Sequence, residues 1–248
     1  MLKVRANFSY ARLDPSSIKI LNWNVYKGRK TNWENDFLKL SRKQDIILIQ
    51  EAYLNKNMTD VLDVRRMEWN FAPGFIYRRK NIPTGVLTAS KTQSLTSDFL
   101  KTRYHEPIVR SPKVSLFTQY HVSGSTKTLL VINVHGINFV RLNAFKSQLD
   151  DLEKTLEDHT GPMILAGDFN TWKKKRLRLL MAMTGRLGLN AIHFTPDYRK
   201  TMFGYPLDHI FFKGLRVRKY SVLRNIASSD HKPMVAEFVL ENKHKIGN

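Results

Sequence analysis

Polar residues of a narrow set of types occur wherever an apolar run of this chain stops or starts. Asn24 closes Leu21-Asn22-Trp23-Asn24, Glu51 follows the run 46–50, His135 follows the run 130–134, and Asp168 and Asn170 follow the run 164–167. Asp208 precedes His209-Ile210-Phe211-Phe212, and Asp230-His231 precede a run ending at Val239. Their types suit one chemistry. Glu51, Asp168 and Asp230 offer hard oxygen ligands of the kind magnesium takes, and manganese accepts the same set. A histidine beside a carboxylate is held in one tautomer and can stabilise or donate charge near neutral pH. Asparagine amides are neutral donors to a phosphate oxygen. These are the parts for metal-assisted attack of water on a phosphodiester. Each has a plainer reading alone: a turn at Gly167-Asp168-Phe169-Asn170, a solvated strand end at Gln50-Glu51, a structural His135, a cap or loop at Ser229-Asp230-His231. The ordered set is what points to catalysis.

Such residues act together only if the elements carrying them meet. Apolar, β-branched runs predict strands over 18–25, 45–50, 85–89, 114–122, 129–134, 163–166, 207–212, 217–223 and 234–240. Phe145, Leu149, Leu152 and Leu156 share one helical face, closed by Gly161-Pro162. Further helices are expected over 174–187, with a basic outer face, and more weakly over 33–42. Most strand pairs lack a helix between them, so many neighbours should be antiparallel. The pattern is that of a mixed-sheet α/β sandwich. In such a sheet one strand's end adjoins the next one's start, so the polar residues could converge on a single rim.

The chain has 248 residues and shows no linker, repeat or low-complexity tract, which favours one domain over 18–241, between a basic arm over 1–17 that is expected to be poorly ordered and a tail over 242–248. Lys plus Arg number 41 against 21 Asp plus Glu, a net charge of +20, which draws polyanions: nucleic acid, anionic lipid surfaces or phosphorylated small molecules. The absence of cysteine excludes disulfides, thiolate zinc sites and a cysteine nucleophile. No signal peptide or apolar span is legible, and a cytoplasmic location is expected.

The ordered set resembles the endonuclease/exonuclease/phosphatase superfamily, which includes DNase I, exonuclease III, the abasic-site endonucleases, neutral sphingomyelinases and inositol polyphosphate phosphatases. The matching segments are Leu21-Asn22-Trp23-Asn24, Ile49-Gln50-Glu51, Asn133-Val134-His135, Gly167-Asp168-Phe169-Asn170, Leu207-Asp208-His209 and Ser229-Asp230-His231-Lys232-Pro233. Phe194-Thr195, Phe203-Gly204 and Leu207-Asp208 look closest to the YafD-like bacterial branch. The resemblance implies a four-layer α/β/β/α sandwich of two mixed, largely antiparallel sheets. It also implies magnesium, or manganese, on Glu51 with Asp230 and Asn24 nearby, and Asp168 orienting or deprotonating the attacking water. Asn170 would hold the phosphate or that water, and His231 paired with Asp208 would contact the phosphate. His135 would take the position of a general acid for the leaving oxygen.

The family's bond is fixed by resemblance, but its substrates are nucleic acids, sphingomyelin and phosphoinositides. Trp172-Lys173-Lys174-Lys175-Arg176-Leu177-Arg178 opens a helix with cations, which the helix dipole disfavours and a phosphate backbone would explain. A solvated face is the bland alternative. Tyr198-Arg199-Lys200-Thr201-Met202-Phe203-Gly204-Tyr205 mixes aromatic and basic residues before Asp208, where Arg199 could grip phosphate and Phe203 or Tyr205 stack on a base, unless the rings pack in the core. A nuclease acting on DNA or RNA ranks first. A lipid phosphodiesterase or phosphatase at an anionic membrane surface, and a non-catalytic polyanion-binding protein, are the alternatives.

Overall fold

The computed structural model describes residues 1–4, 11–64, 67–77, 80–107 and 110–241. The tail expected over 242–248 and residues 5–10 of the arm lie outside the described residues. In chain order the strands and helices are β1 (Leu2–Val4), β2 (Ile18–Asn24), α1 (Trp33–Ser41), β3 (Ile46–Tyr53), α2 (Lys56–Val64), β4 (Glu68–Tyr77), β5 (Ile82–Ser90), β6 (Thr96–Lys101), β7 (Val114–Tyr120) and β8 (Leu129–His135). They continue as α3 (Leu142–Leu156), β9 (Met163–Asp168), α4 (Lys174–Arg186), β10 (Asn190–Ala191), β11 (Thr201–Met202), β12 (Tyr205–Pro206), β13 (Asp208–Lys213), β14 (Leu215–Val222) and β15 (Met234–Leu240).

One sheet runs β1-β4-β5-β3-β2-β15-β14, and a second runs β10-β13-β9-β8-β7-β6. Within these two sheets only β2 with β3 and β8 with β9 pair in parallel, and a helix, α1 or α3, makes each of those crossovers. Every other pair is antiparallel, as the scarcity of intervening helices predicts. Period-two alternation divides the side chains of each strand between two faces. From β2 and β3, Ile18, Ile20, Ile46 and Leu48 meet Leu129, Val131, Ile164 and Ala166 of β8 and β9 between the sheets. Leu21, Trp23, Ile47 and Ile49 point the other way and are covered by Trp33 and Phe37 of α1 and Met58, Val61 and Leu62 of α2. On the far side Phe145, Leu149 and Leu152 of α3 and Leu180 and Met183 of α4 cover Ile132, Val134 and Leu165. The result is four layers, α/β/β/α, as expected.

Several elements differ from the sequence reading, which did not anticipate β1, β4, α2, β6 or the short β10, β11 and β12. β4 escaped because Pro73-Gly74 breaks its pattern; the structure tolerates them at a bulge, where the register shifts between Pro73 and Phe75. β3 continues past residue 50 through Tyr53, so Glu51 lies within the strand and not after it. Leu2–Val4 form an edge strand on β4, where Lys3 meets Ser94 (2.9 Å) and Glu68 (3.4 Å).

Candidate active site

Strand register alone brings three of the expected residues side by side. His135 ends β8 opposite Asp168, which ends β9, and Asp168 lies opposite Asp208, which begins β13. Gly167 makes that approach possible: its φ is 152°, and a Cβ there would stand 1.9 Å from the Val134 carbonyl oxygen. Asn24 ends β2 in the other sheet and donates from Nδ2 to Asp168 Oδ2 at 3.0 Å, so the pair ties one sheet to the other at the rim. Below them a buried amide chain does the same, with Gln50 Nε2 donating to Asn22 (3.0 Å) and Asn133 (2.7 Å). These motif residues are ties between the layers, not part of the cleft.

The loop before β15 is fastened to this rim. Ser229 Oγ donates to the Asn24 carbonyl at 2.6 Å, and Trp23 Nε1 donates to the His231 carbonyl at 3.1 Å. His231 Nδ1 then lies 2.8 Å from Asp208 Oδ2, with Nε2 3.7 Å from Asp168 Oδ2. Burial pulls the His231 pKa down, but the charges of Asp208 and Asp168 outweigh it and push it up to about 9. Asp168 is pushed up to about 6, by burial first and by Asp208 next, against the pull of His231. Near neutral pH this gives an imidazolium beside a carboxylate of unusual basicity.

A bulge in β3 between Ile49 and Ala52 turns Glu51 toward the cleft with φ 55°. Its carboxylate meets Lys27 Nζ at 2.6 Å; burial alone would raise the pKa, and the lysine more than reverses that. Asp230 pairs with Lys200. Glu51, His135, Asp168, Asn170, Asp230 and His231 line one cleft of about 320 Å³. Asn24 and Asp208 are buried and reach it through Asp168 and His231. All eight catalytic and metal-binding candidates are therefore gathered.

The substrate-binding candidates divide. Phe203 is 75% exposed at the tip of the β11–β12 hairpin and Tyr205 is half-buried, while Met202 faces the cleft. Lys173, Lys174 and Lys175 are exposed at the start of α4, outside the cleft wall. Arg199 is turned inward, its guanidinium engaged by Asp197 (2.6 Å), the Asp208 carbonyl (2.9 Å) and His209 (3.3 Å), a geometry for positioning rather than for gripping substrate. Arg176 is the exception in the basic run: it is buried, on one helical face with Leu180 and Met183, a spacing already visible in the sequence. Lys27, Lys113 and Lys200, which sequence reading did not select, also line the cleft.

His209 shows how tightly this rim is specified. Thr171 Oγ1 donates to the Pro206 carbonyl at 2.5 Å, so it accepts from His209 Nε2 at 2.8 Å, leaving Nδ1 to accept from Arg199. The ring is neutral, its pKa pulled to about 3 by burial first and Arg199 next. The unfolded chain therefore takes up a proton below pH 6.5 that the folded protein refuses down to about 3. His209 thus destabilises the fold progressively as the pH falls through that window and has no such effect above it. Urea denaturation of wild type and His209→Phe at pH 5 and pH 7 should show wild type losing more stability on acidification; parallel losses would sink this assignment.

Asp168, Asp208 and His231 each offer a ligand atom within 4.8 Å of the others, a buried grouping that could hold a metal ion. Asp208 Oδ1 is buried without a hydrogen-bond partner, so the donor set has an oxygen to give. An imidazolium has no free lone pair, however, and Glu51 and Asp230 are the more available oxygen ligands. The residues fit a hard divalent cation.

The model of the endonuclease/exonuclease/phosphatase family matches residues 21–231. The chain belongs to that family. It is one of hydrolytic enzymes acting on phosphodiester bonds. Solved structures share the fold at low identity. The human Nocturnin catalytic domain, solved with a bound sulfate anion, is 18% identical, with TM-score 0.66 over 93% of this chain and 96% of that one. A family member from Bacteroides vulgatus is 14% identical, with TM-score 0.69 over 91% and 100%. ANGEL2, a 2′,3′-cyclic phosphatase, is 13% identical, with TM-score 0.63 over 95% and 98%.

Proposed function

We propose that this family member is a magnesium-dependent phosphodiesterase acting on nucleic acid. The reading rests on one juxtaposition: a basic carboxylate, Asp168, beside the His231–Asp208 ion pair in a cleft that also presents Glu51 and Asp230. A divalent cation on Glu51 and Asp230, with Asn24 behind, would neutralise phosphate charge. Asp168, with a pKa of about 6, is ionised near neutral pH yet basic enough to orient water and take its proton. Its own geometry is set by the Asn24 amide and by the Asn170 N–H, which donates to Oδ1 at 2.9 Å. The His231 imidazolium faces the place where negative charge grows on the phosphate. Asn170 Nδ2 gives one hydrogen to the Gly136 carbonyl and keeps the other for a phosphate oxygen or the attacking water. Burial foremost, with Lys113, His231 and Lys27, holds the His135 pKa well below its ordinary value. It then acts as a neutral N–H donor to the leaving oxygen, not as an imidazolium acid.

Nucleic acid is favoured over lipid by what surrounds the cleft. Exposed Phe139 and Phe203 each stand 6.1 Å, ring centre to ring centre, from the half-buried Trp172 between them, forming an aromatic shelf with Lys173 Nζ 4.7 Å above the indole. Rings stack on bases while cations hold the backbone. Phe203→Ala should weaken binding of a short single strand about tenfold, the value of one base–ring stack, with no change in Tm because the ring is solvent-facing. A fallen Tm would return Phe203 to packing. Neutralising Lys173, Lys174 and Lys175 together should flatten the dependence of log Kd on log salt; an unaltered slope would place the phosphate contacts elsewhere.

The deciding experiment is a substrate panel of plasmid, single-stranded DNA, RNA, a 2′,3′-cyclic nucleotide, phosphoinositide and sphingomyelin, with magnesium or with EDTA. Cleavage of nucleic acid that EDTA abolishes is expected. Hydrolysis confined to the lipids, or EDTA-resistant cleavage, overturns the reading. Among the described residues no helix is long and apolar enough to cross a membrane.

A further inference from the structure

Two cleft lysines hold the very carboxylates assigned to the cation. Lys27 Nζ lies 2.6 Å from Glu51 Oε2, and Lys200 Nζ contacts Asp230 Oδ2. Both pairs are partly shielded, at 17% and 19% side-chain exposure for the first and 28% and 32% for the second, so they are less weakened by solvent than surface pairs. The lysines come from different parts of the chain: Lys27 from the turn after β2, and Lys200 from the segment before β11. Lys27 has φ 60°, an uncommon conformation for lysine, which aims its side chain back over the bulged Glu51.

Each ammonium occupies an oxygen that a cation would need, and an oxygen cannot serve both fully. We propose that Lys27 and Lys200 are exchangeable counter-ions: a divalent cation takes their carboxylate oxygens, and the released ammoniums turn to the phosphate oxygens of the substrate. This deepens the phosphodiesterase reading and rests on it for the identity of the anion. The exchange keeps the cleft neutralised in both arrangements and couples the two ligands, so that the anion is gripped firmly only when the cation is present. Lys113 also lines the cleft, but its partner at 3.4 Å is Glu106, which is not among the assigned ligands, so it takes no part in the exchange.

The test needs no substrate turnover. Calorimetric titration with Mn²⁺ alone should show Lys27→Met and Lys200→Met binding the ion more tightly, each by about tenfold, since a unit positive charge a few ångströms away is removed. Lys91→Met, which removes a lysine from Asp45 at 3.2 Å away from the cleft, should leave the affinity unchanged. Inorganic phosphate titrated into Mn²⁺-saturated protein should then bind more weakly to both cleft variants than to wild type. Lys27→Arg, which retains the charge, separates loss of charge from misfolding and should bind Mn²⁺ as wild type does. Unchanged or weaker Mn²⁺ affinity in both methionine variants overturns the exchange, and phosphate affinity equal to wild type overturns the release. If the substrate panel fails while these titrations succeed, the counter-ion exchange stands and only the identity of the substrate falls.

Discussion

Asp168→Asn and His231→Gln are each expected to lower phosphodiester hydrolysis about 10³-fold, within the range for removing a positioned acid or base, while the protein remains folded. The two changes test different halves of the site. Asp168→Asn keeps the shape of the side chain and a partner for the Asn24 amide, but removes the only charge on β9 that faces the cleft. Because burial raises the Asp168 pKa, ionisation of this side chain opposes folding; the amide removes that cost but can accept from only one of the two donors, Asn24 Nδ2 and the Asn170 N–H, so Tm should change little. His231→Gln removes a cation that two carboxylates stabilise, which leaves Asp208 buried with neither oxygen paired to a charge. That variant should lose some stability as well as rate. Full activity in both variants would remove Asp168 and His231 from the chemistry. A rate loss in parallel with unfolding would show only that the rim is structural.

How much of this was legible beforehand depends on the range of the interaction concerned. Period-two and period-3.6 patterning located β2, β7, β8, β15 and α3 nearly to the residue, because each buries a continuous face. The convergence of Glu51, His135, Asp168 and His231 was legible too, since polar residues at strand termini share a rim once strands alternate in direction. What the pattern lacked was local compensation. β4 carries Pro73-Gly74 and is rescued by pairing with β5 over ten residues of strand, a tertiary effect. Glu51 reads as the residue after a strand because nothing local announces a bulge. Arg199 reads as a loop cation, and only the fold reveals that Asp197, His209 and the Asp208 carbonyl already engage it. The pairing of Lys27 with Glu51 spans 24 residues and that of Lys200 with Asp230 spans 30, distances over which no spacing rule operates.

Arg176 is where sequence and structure diverge most usefully, and Arg176→Met is expected to cost about 3 kcal/mol of stability and to lower activity about a hundredfold although the side chain does not reach the cleft. At 2% exposure its guanidinium donates from Nε to the Asn170 carbonyl at 2.8 Å and from Nη2 to the Ile137 carbonyl, and it lies 3.9 Å over the Phe145 ring. Burial draws its pKa down to about 10, with Asp168 and Glu106 opposing, so it remains charged at neutral pH. Those two carbonyls belong to the loops that follow His135 and Asp168, so one fork sets both. Asn170 sits at φ 52°, a conformation that persists only where the surroundings impose it. Methionine fills much of the volume but leaves both carbonyls without a donor, and Asn170 is then free to relax away from Asp168. Arg176→Lys retains the charge and can satisfy one carbonyl, so it should recover part of both losses. Denaturation and kcat measured on the two variants separate the possibilities: lost stability with an intact kcat would make Arg176 a packing residue alone. A kcat deficit that lysine partly repairs, with KM little changed, is the signature of a clamp on the catalytic loops. The Arg176 cation at the helix start is then accounted for by the loops it holds, and within the basic run Lys173, Lys174, Lys175 and the exposed Arg178 remain as candidates for the phosphate backbone.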